Sequence, residues 1–115
     1  MQTALESSIT FSGVGLHSGK SVSLSIKPAP KNHGILFKRK DIEIGNPIVR
    51  ARWDYVSKTT LCTRVTNEDG TAISTIEHLM AAIAGCGVSN ALIEIDSEEV
   101  PILDGSAAPF VKGIL

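Results

Sequence analysis

Residues 74–96 read Ser-Thr-Ile-Glu-His-Leu-Met-Ala-Ala-Ile-Ala-Gly-Cys-Gly-Val-Ser-Asn-Ala-Leu-Ile-Glu-Ile-Asp, and within them the hydrophobic period changes once. Ile76, Leu79, Met80 and Ile83 stand at i, i+3, i+4 and i+7, the spacing of one buried helix face. Ser74 is placed to cap that helix and Gly85 or Gly87 to end it. Over residues 90–96 the period falls to two, with Ala91, Ile93 and Ile95 on one side of a strand. A helix that feeds a half-buried strand needs a second layer to cover both apolar faces.

Working towards the N-terminus, the chain reads mainly as strands. Residues 21–27 alternate cleanly, Val22, Leu24 and Ile26 facing one way and Ser21, Ser23, Ser25 and Lys27 the other. Residues 8–12 form the preceding strand, 13–19 the connection, and Pro28-Ala-Pro30 the stop, since proline cannot donate to a ladder. Further strands are expected over 35–40, 48–56 and 59–66, with Asn67-Glu-Asp-Gly70 as a turn. Working towards the C-terminus, Asp104-Gly-Ser106 caps a second helix beginning near Ala107 and tolerating Pro109 in its first turn. Its apolar stripe of Phe110, Val111, Ile114 and Leu115 reaches the last residue without a cap, the pattern expected of a domain cut within its second helix. The pattern predicts a two-layer α+β sandwich, a mostly antiparallel sheet with two helices on one face.

A chain of 115 residues makes one domain. Eleven basic against twelve acidic residues give a net charge of −1, without the basic surplus of a nucleic-acid-binding domain. The start, Met1-Gln-Thr-Ala-Leu-Glu-Ser-Ser, has neither the basic residues nor the apolar run of a signal peptide. The longest apolar run, 79–84, falls far short of the roughly 18 residues of a membrane span. Cys62 and Cys86 make neither a disulfide framework nor a CxxC pair, which points to a reducing cytoplasm.

Glu77-His78 is the strongest candidate for chemistry. One reading is purely structural: Ser74 and Glu77 have the spacing of a capping box, leaving His78 a solvated helix residue. The other is catalytic. His78 lies almost opposite the face centred on Ile76 and Ile83, and in the first turn the helix dipole favours a neutral imidazole, the form that ligates zinc. A glutamate beside it is placed to take a proton from water activated by that ion. The pair is not an HExxH motif, and His17, His33, the two cysteines and the scattered carboxylates hold no helix spacing to His78. A catalytic zinc takes about three protein ligands, so the others are expected outside this chain.

Three further segments read as structure. Gly13-Val-Gly-Leu-His-Ser-Gly19 fails as a phosphate loop, because its third glycine is one residue late and a strand follows it. A hairpin with Leu16 and His17 at its tip is expected instead. Cys62, in Thr60-Leu-Cys62, reads as a small buried hydrophobe, and Lys38-Arg39-Lys40 as a solvated strand edge.

Taken together, Ser12-Gly-Val-Gly-Leu-His-Ser-Gly-Lys20, Thr60-Leu-Cys-Thr63, Ile73-Ser-Thr-Ile-Glu-His-Leu79 and Ile102-Leu-Asp-Gly-Ser-Ala-Ala-Pro-Phe110 give the chain a resemblance to the zinc-dependent UDP-3-O-acyl-N-acetylglucosamine deacetylase family of lipid A biosynthesis. The resemblance covers the whole chain. It implies that residues 1–115 are the amino-terminal domain of a two-domain enzyme whose halves sandwich the active site between their helix layers. The fold implied is one also found in the second domain of a small-subunit ribosomal protein. His78 matches a zinc ligand, Glu77 the general base, and Leu16, Leu61 and Cys62 positions lining the substrate cleft. The other zinc ligands and most of the acyl-chain passage would come from the second domain, so the 115-residue chain alone is expected to be inactive. The implied partners are the acylated UDP-N-acetylglucosamine substrate and that second domain. The competing reading is a non-catalytic α+β binding module sharing the fold.

Overall fold

The computed structural model describes residues 3–4, 8–15, 19–30, 32–42, 45–51, 56–58, 63–67, 69–101, 103 and 108–114. The elements in chain order are β1 (Thr3–Ala4), β2 (Ile9–Val14), β3 (Ser21–Pro28), β4 (Ile35–Arg39), β5 (Ile48–Arg50), β6 (Val56–Lys58), β7 (Thr63–Thr66), β8 (Ala72–Ser74), α1 (Glu77–Gly85), β9 (Val88–Ile95) and α2 (Ala108–Ile114). The main sheet runs β2-β3-β9-β4-β5, with β1 also paired to β9. The β2–β3, β3–β9 and β4–β5 pairs are antiparallel, while β4–β9 and β1–β9 are parallel. A second, antiparallel sheet runs β6-β7-β8.

Period two becomes a core through this register. Val49, Phe37, Ile93 and Ile26 stand opposite one another across four strands, and each is fully buried. Leu24 and Ile95 make the next such pair. On the other face of the sheet the same strands present small and charged groups: Thr10 Oγ1 lies 3.0 Å from Ser25 Oγ, and Lys27 pairs with Glu94. The helices cover the apolar face alone, as expected of the two-layer sandwich. Helix α1 packs Leu79, Ala82 and Ile83 inward against β9 and α2. Phe110 of α2 meets Phe11 of β2 edge-on, ring centroids 5.0 Å apart. Gly113 permits that approach, because a Cβ there would stand 2.5 Å from Phe11 Cζ.

The two ends of the expected strand over 48–56 pair in different sheets, while residues 52–55, between them, lie outside the described residues. Ile48–Arg50 pairs with β4 in the main sheet, and Val56–Lys58 pairs with β7 in the second. Polar side chains tie the sheets together: Asn67 Nδ2 donates to the carbonyls of Asn46 (2.9 Å) and Ile48 (2.8 Å), and Arg39 Nη1 to that of Ala72 (3.0 Å). Arg39 also grips Asp41, so the predicted solvated edge at 38–40 is a clamp in part.

Candidate active site at the start of helix α1

Strand β8 ends at Ser74 and α1 begins at Glu77, so two residues make the turn between them. Thr75 adopts a left-handed backbone with φ 61°, a region that costs a β-branched residue on the order of 1–3 kcal/mol. Ile76 returns to right-handed geometry (φ −87°, ψ −7°), starts the helix and buries its side chain in the core.

The expected capping box does not form, and no side chain caps α1. Ser74 is a strand residue, paired with Arg64, and its Oγ accepts a 2.8 Å hydrogen bond from Arg64 Nε. Strand pairing thus displaces the helix start and commits the hydroxyl that would have capped it. The C-terminal end behaves as the sequence implies: the Cys86 N–H donates to Ala82 O (3.0 Å), and Gly87 supplies the positive φ, 73°, that lets the chain turn away.

Segment 98–100 holds the turn from the other side. The Ser74 N–H donates to Glu98 O (2.8 Å), and the Val100 N–H donates to Ser74 O (3.1 Å). Between these bonds Thr75 Oγ1 donates to Glu99 Oε2 at 2.5 Å. Thr75 is 5% exposed and Glu99 2%. Next along, Pro101 bridges to Gly15 at the base of the β2–β3 hairpin. Gly13 accommodates that crossing, since a Cβ there would stand 3.1 Å from Pro101 Cβ. The hairpin base and the start of α1 therefore share one support.

Glu77 and His78 occupy the first turn on this foundation, both half-buried. Glu77 Oε1 is itself buried and accepts no hydrogen bond, although the residue makes other interactions. Its charge complements the positive end of the helix dipole. His78 flanks the buried stripe, which takes in Ala82 as well as Leu79 and Ile83, and so is less solvated than a position opposite the core would be. A carboxylate beside an imidazole is donor chemistry that zinc accepts. Among the described residues, however, no three His, Cys, Asp or Glu side chains converge, so His78 could supply one ligand of a site completed elsewhere. His33 is occupied locally, with Nδ1 3.1 Å from Gly34 O.

Leu16, His17, Leu61 and Cys62 lie outside the described residues, as does the expected cap at 104–106. The flanks of the first motif are in place: β2 and β3 form the predicted hairpin, and a strand follows the glycines, as the rejection of a phosphate loop requires. Thr75 and Glu99 escaped the sequence reading. The burial of Ile93 and Ile95 is followed by that of Ser97 and Glu99, but 96–98 bend and both residues are polar, so hydrophobic alternation does not point to Glu99.

Fold and site together define a two-layer α+β domain with a Glu–His pair at the start of its first helix. The chain belongs to the UDP-3-O-acyl N-acetylglycosamine deacetylase family, whose sequence profile matches residues 2–115. It is 54% identical over 110 residues to a Shewanella woodyi protein named UDP-3-O-acyl-N-acetylglucosamine deacetylase. Proteins of the same name from Idiomarina loihiensis and Pseudoalteromonas atlantica are 50% and 47% identical. Each comparison covers 96% of this chain and 36% of the relative, so the chain spans about a third of the length of the curated relatives it matches.

Proposed function

We propose that this chain forms part of an enzyme that hydrolyses the N-acetyl group of UDP-3-O-acyl-N-acetylglucosamine in lipid A biosynthesis, with Glu77 as general base and His78 as a zinc ligand. The observation that carries the reading is the failure of the capping box. Ser74 is held by Arg64, so a Ser74–Glu77 capping box does not account for the pair, and a carboxylate and an imidazole stand at successive positions of a helix start. Zinc, when bound, polarises the acetamide carbonyl and makes water more acidic. Glu77 accepts the proton of the attacking water, and His78 offers an imidazole nitrogen from a backbone fixed by the first turn of α1. The C–N bond breaks as the leaving nitrogen takes up the proton that the water gave, yielding acetate and the free amine. The remaining zinc ligands come from a second domain of the same enzyme, and without it residues 1–115 turn over no substrate. Leu16, Leu61 and Cys62 line the substrate cleft in this reading, which their place in the matched motifs supports. No helix among the described residues is long and apolar enough to cross a membrane, and two cysteines without a disulfide framework in their spacing suit a cytoplasmic enzyme.

The test is acetate release and zinc content in the complete protein, with Glu77→Gln and His78→Ala. Glu77→Gln should lose turnover while keeping zinc, and His78→Ala should lose both. Full activity in either variant would remove that residue from the site.

A further inference from the structure

We propose that Thr75 and Glu99 are positioning residues: their buried hydroxyl–carboxylate bond locks the left-handed turn that sets the direction in which Glu77 and His78 leave the sheet. The inference rests on the role proposed above for that pair. Two residues separate β8 from α1, so their backbone angles alone set the helix start relative to the strand. Ile76 is right-handed, and the left-handed angle belongs to Thr75.

The choice of residues is a poor one for stability alone. Glycine would adopt φ 61° without steric cost, and an apolar residue at 99 would avoid burying a carboxylate. Instead the threonine hydroxyl reaches the carboxylate at 2.5 Å, flanked by the backbone bonds of Ser74 to Glu98 and Val100. Three hydrogen bonds thus converge within three residues of Glu77. Strain held by surrounding structure is characteristic of sites where geometry matters to chemistry. Misplacing a reacting group by about 1 Å can cost on the order of a hundredfold in rate.

The experiment uses the complete protein as wild type, Thr75→Val, Thr75→Ser, Glu99→Gln and Glu77→Gln. It measures kcat, KM, zinc affinity by chelator competition, and deuterium exchange of the peptide covering 74–82. Thr75→Val keeps the side-chain shape and removes the hydroxyl. It should lower kcat by roughly ten- to a hundredfold with KM changed less than about twofold. Zinc binding should weaken by about tenfold, the range seen when groups that orient ligands are lost. Exchange should quicken at the first turn of α1, and Thr75→Ser should return all three readouts towards wild type. Wild-type kcat and exchange in Thr75→Val, or no recovery in Thr75→Ser, would overturn the proposal. If Thr75→Val does not fold, Glu99→Gln decides: a fall in kcat at constant KM supports positioning, and an unchanged kcat sinks it. Glu77→Gln separates the two ideas. Should it lack turnover while Thr75→Val is normal, positioning alone fails; should it keep turnover, the role of the pair fails first.

Discussion

The centre of the main sheet and the junction between β8 and α1 are both buried, yet they are built on opposite rules. Across the sheet, Val49, Phe37, Ile93 and Ile26 meet in register, every one apolar and in a strand, the conformation its period implies. At the junction Thr75 and Glu99 bury a hydroxyl and a carboxylate, and a β-branched residue takes a positive φ. The sheet satisfies each local preference at once, whereas the junction sets several against one another and holds the result with hydrogen bonds. Where local rules and the fold agree, the residues account for stability; where they conflict, a role in function is the first thing to test.

Substitutions on the two sides should separate along the same line. The largest effect belongs to Glu77→Gln in the complete protein. Loss of a general base should slow acetate release by on the order of 10²–10⁴-fold, with the thermal midpoint close to wild type. A large fall in midpoint would move Glu77 to the structural side of the comparison. Phe37→Ala is its mirror image: it empties the fully buried centre of β4 and should cost about 3–5 kcal/mol in denaturant unfolding. Gly113→Ala is smaller. Its new methyl meets the Phe11 ring, and overpacking there should cost about 1–3 kcal/mol unless α2 shifts, which loss of the Phe11–Phe110 edge contact would report.

The smallest effect is electrostatic. The hydrogen bond from Arg39 holds the Asp41 carboxyl below its ordinary value, and the nearby guanidinium charge adds to this. A carboxyl depressed by folding stabilises the protein fully above its unfolded value, and the gain is lost as pH falls through the lower, folded one. Asp41 is partly exposed, so Asp41→Asn should cost under about 1 kcal/mol at pH 7. The difference from wild type should close in acid, and a gap that persists below the folded value would show that the pair acts through shape instead.

The sheet was legible in the sequence because alternation is local: residues 21–27 and 90–96 declare their buried faces without reference to partners. The division of 48–56 was not. Alternation shows that a segment is a strand but not which sheet it joins, and that choice depends on β4 and β7, distant in sequence. Ser74 misled for a related reason. Its spacing to Glu77 is that of a cap, but Arg64 in β7 competes for its hydroxyl, and nothing within residues 74–77 reveals the competitor. The Glu77-His78 pair was legible as chemistry. Its support was not, because Glu99 lies beyond the expected strand over 90–96 and no local pattern ties it to Thr75.

That placement has an evolutionary consequence. Glu99 is delivered to Thr75 from the end of β9 by residues 96–98, which bend instead of continuing the strand. Inserting or deleting a residue in so short a connection would displace the Glu99 carboxylate by up to about 3.5 Å, more than its hydrogen bond tolerates. A lineage that changes the length of this stretch must therefore hold the start of α1 in another way.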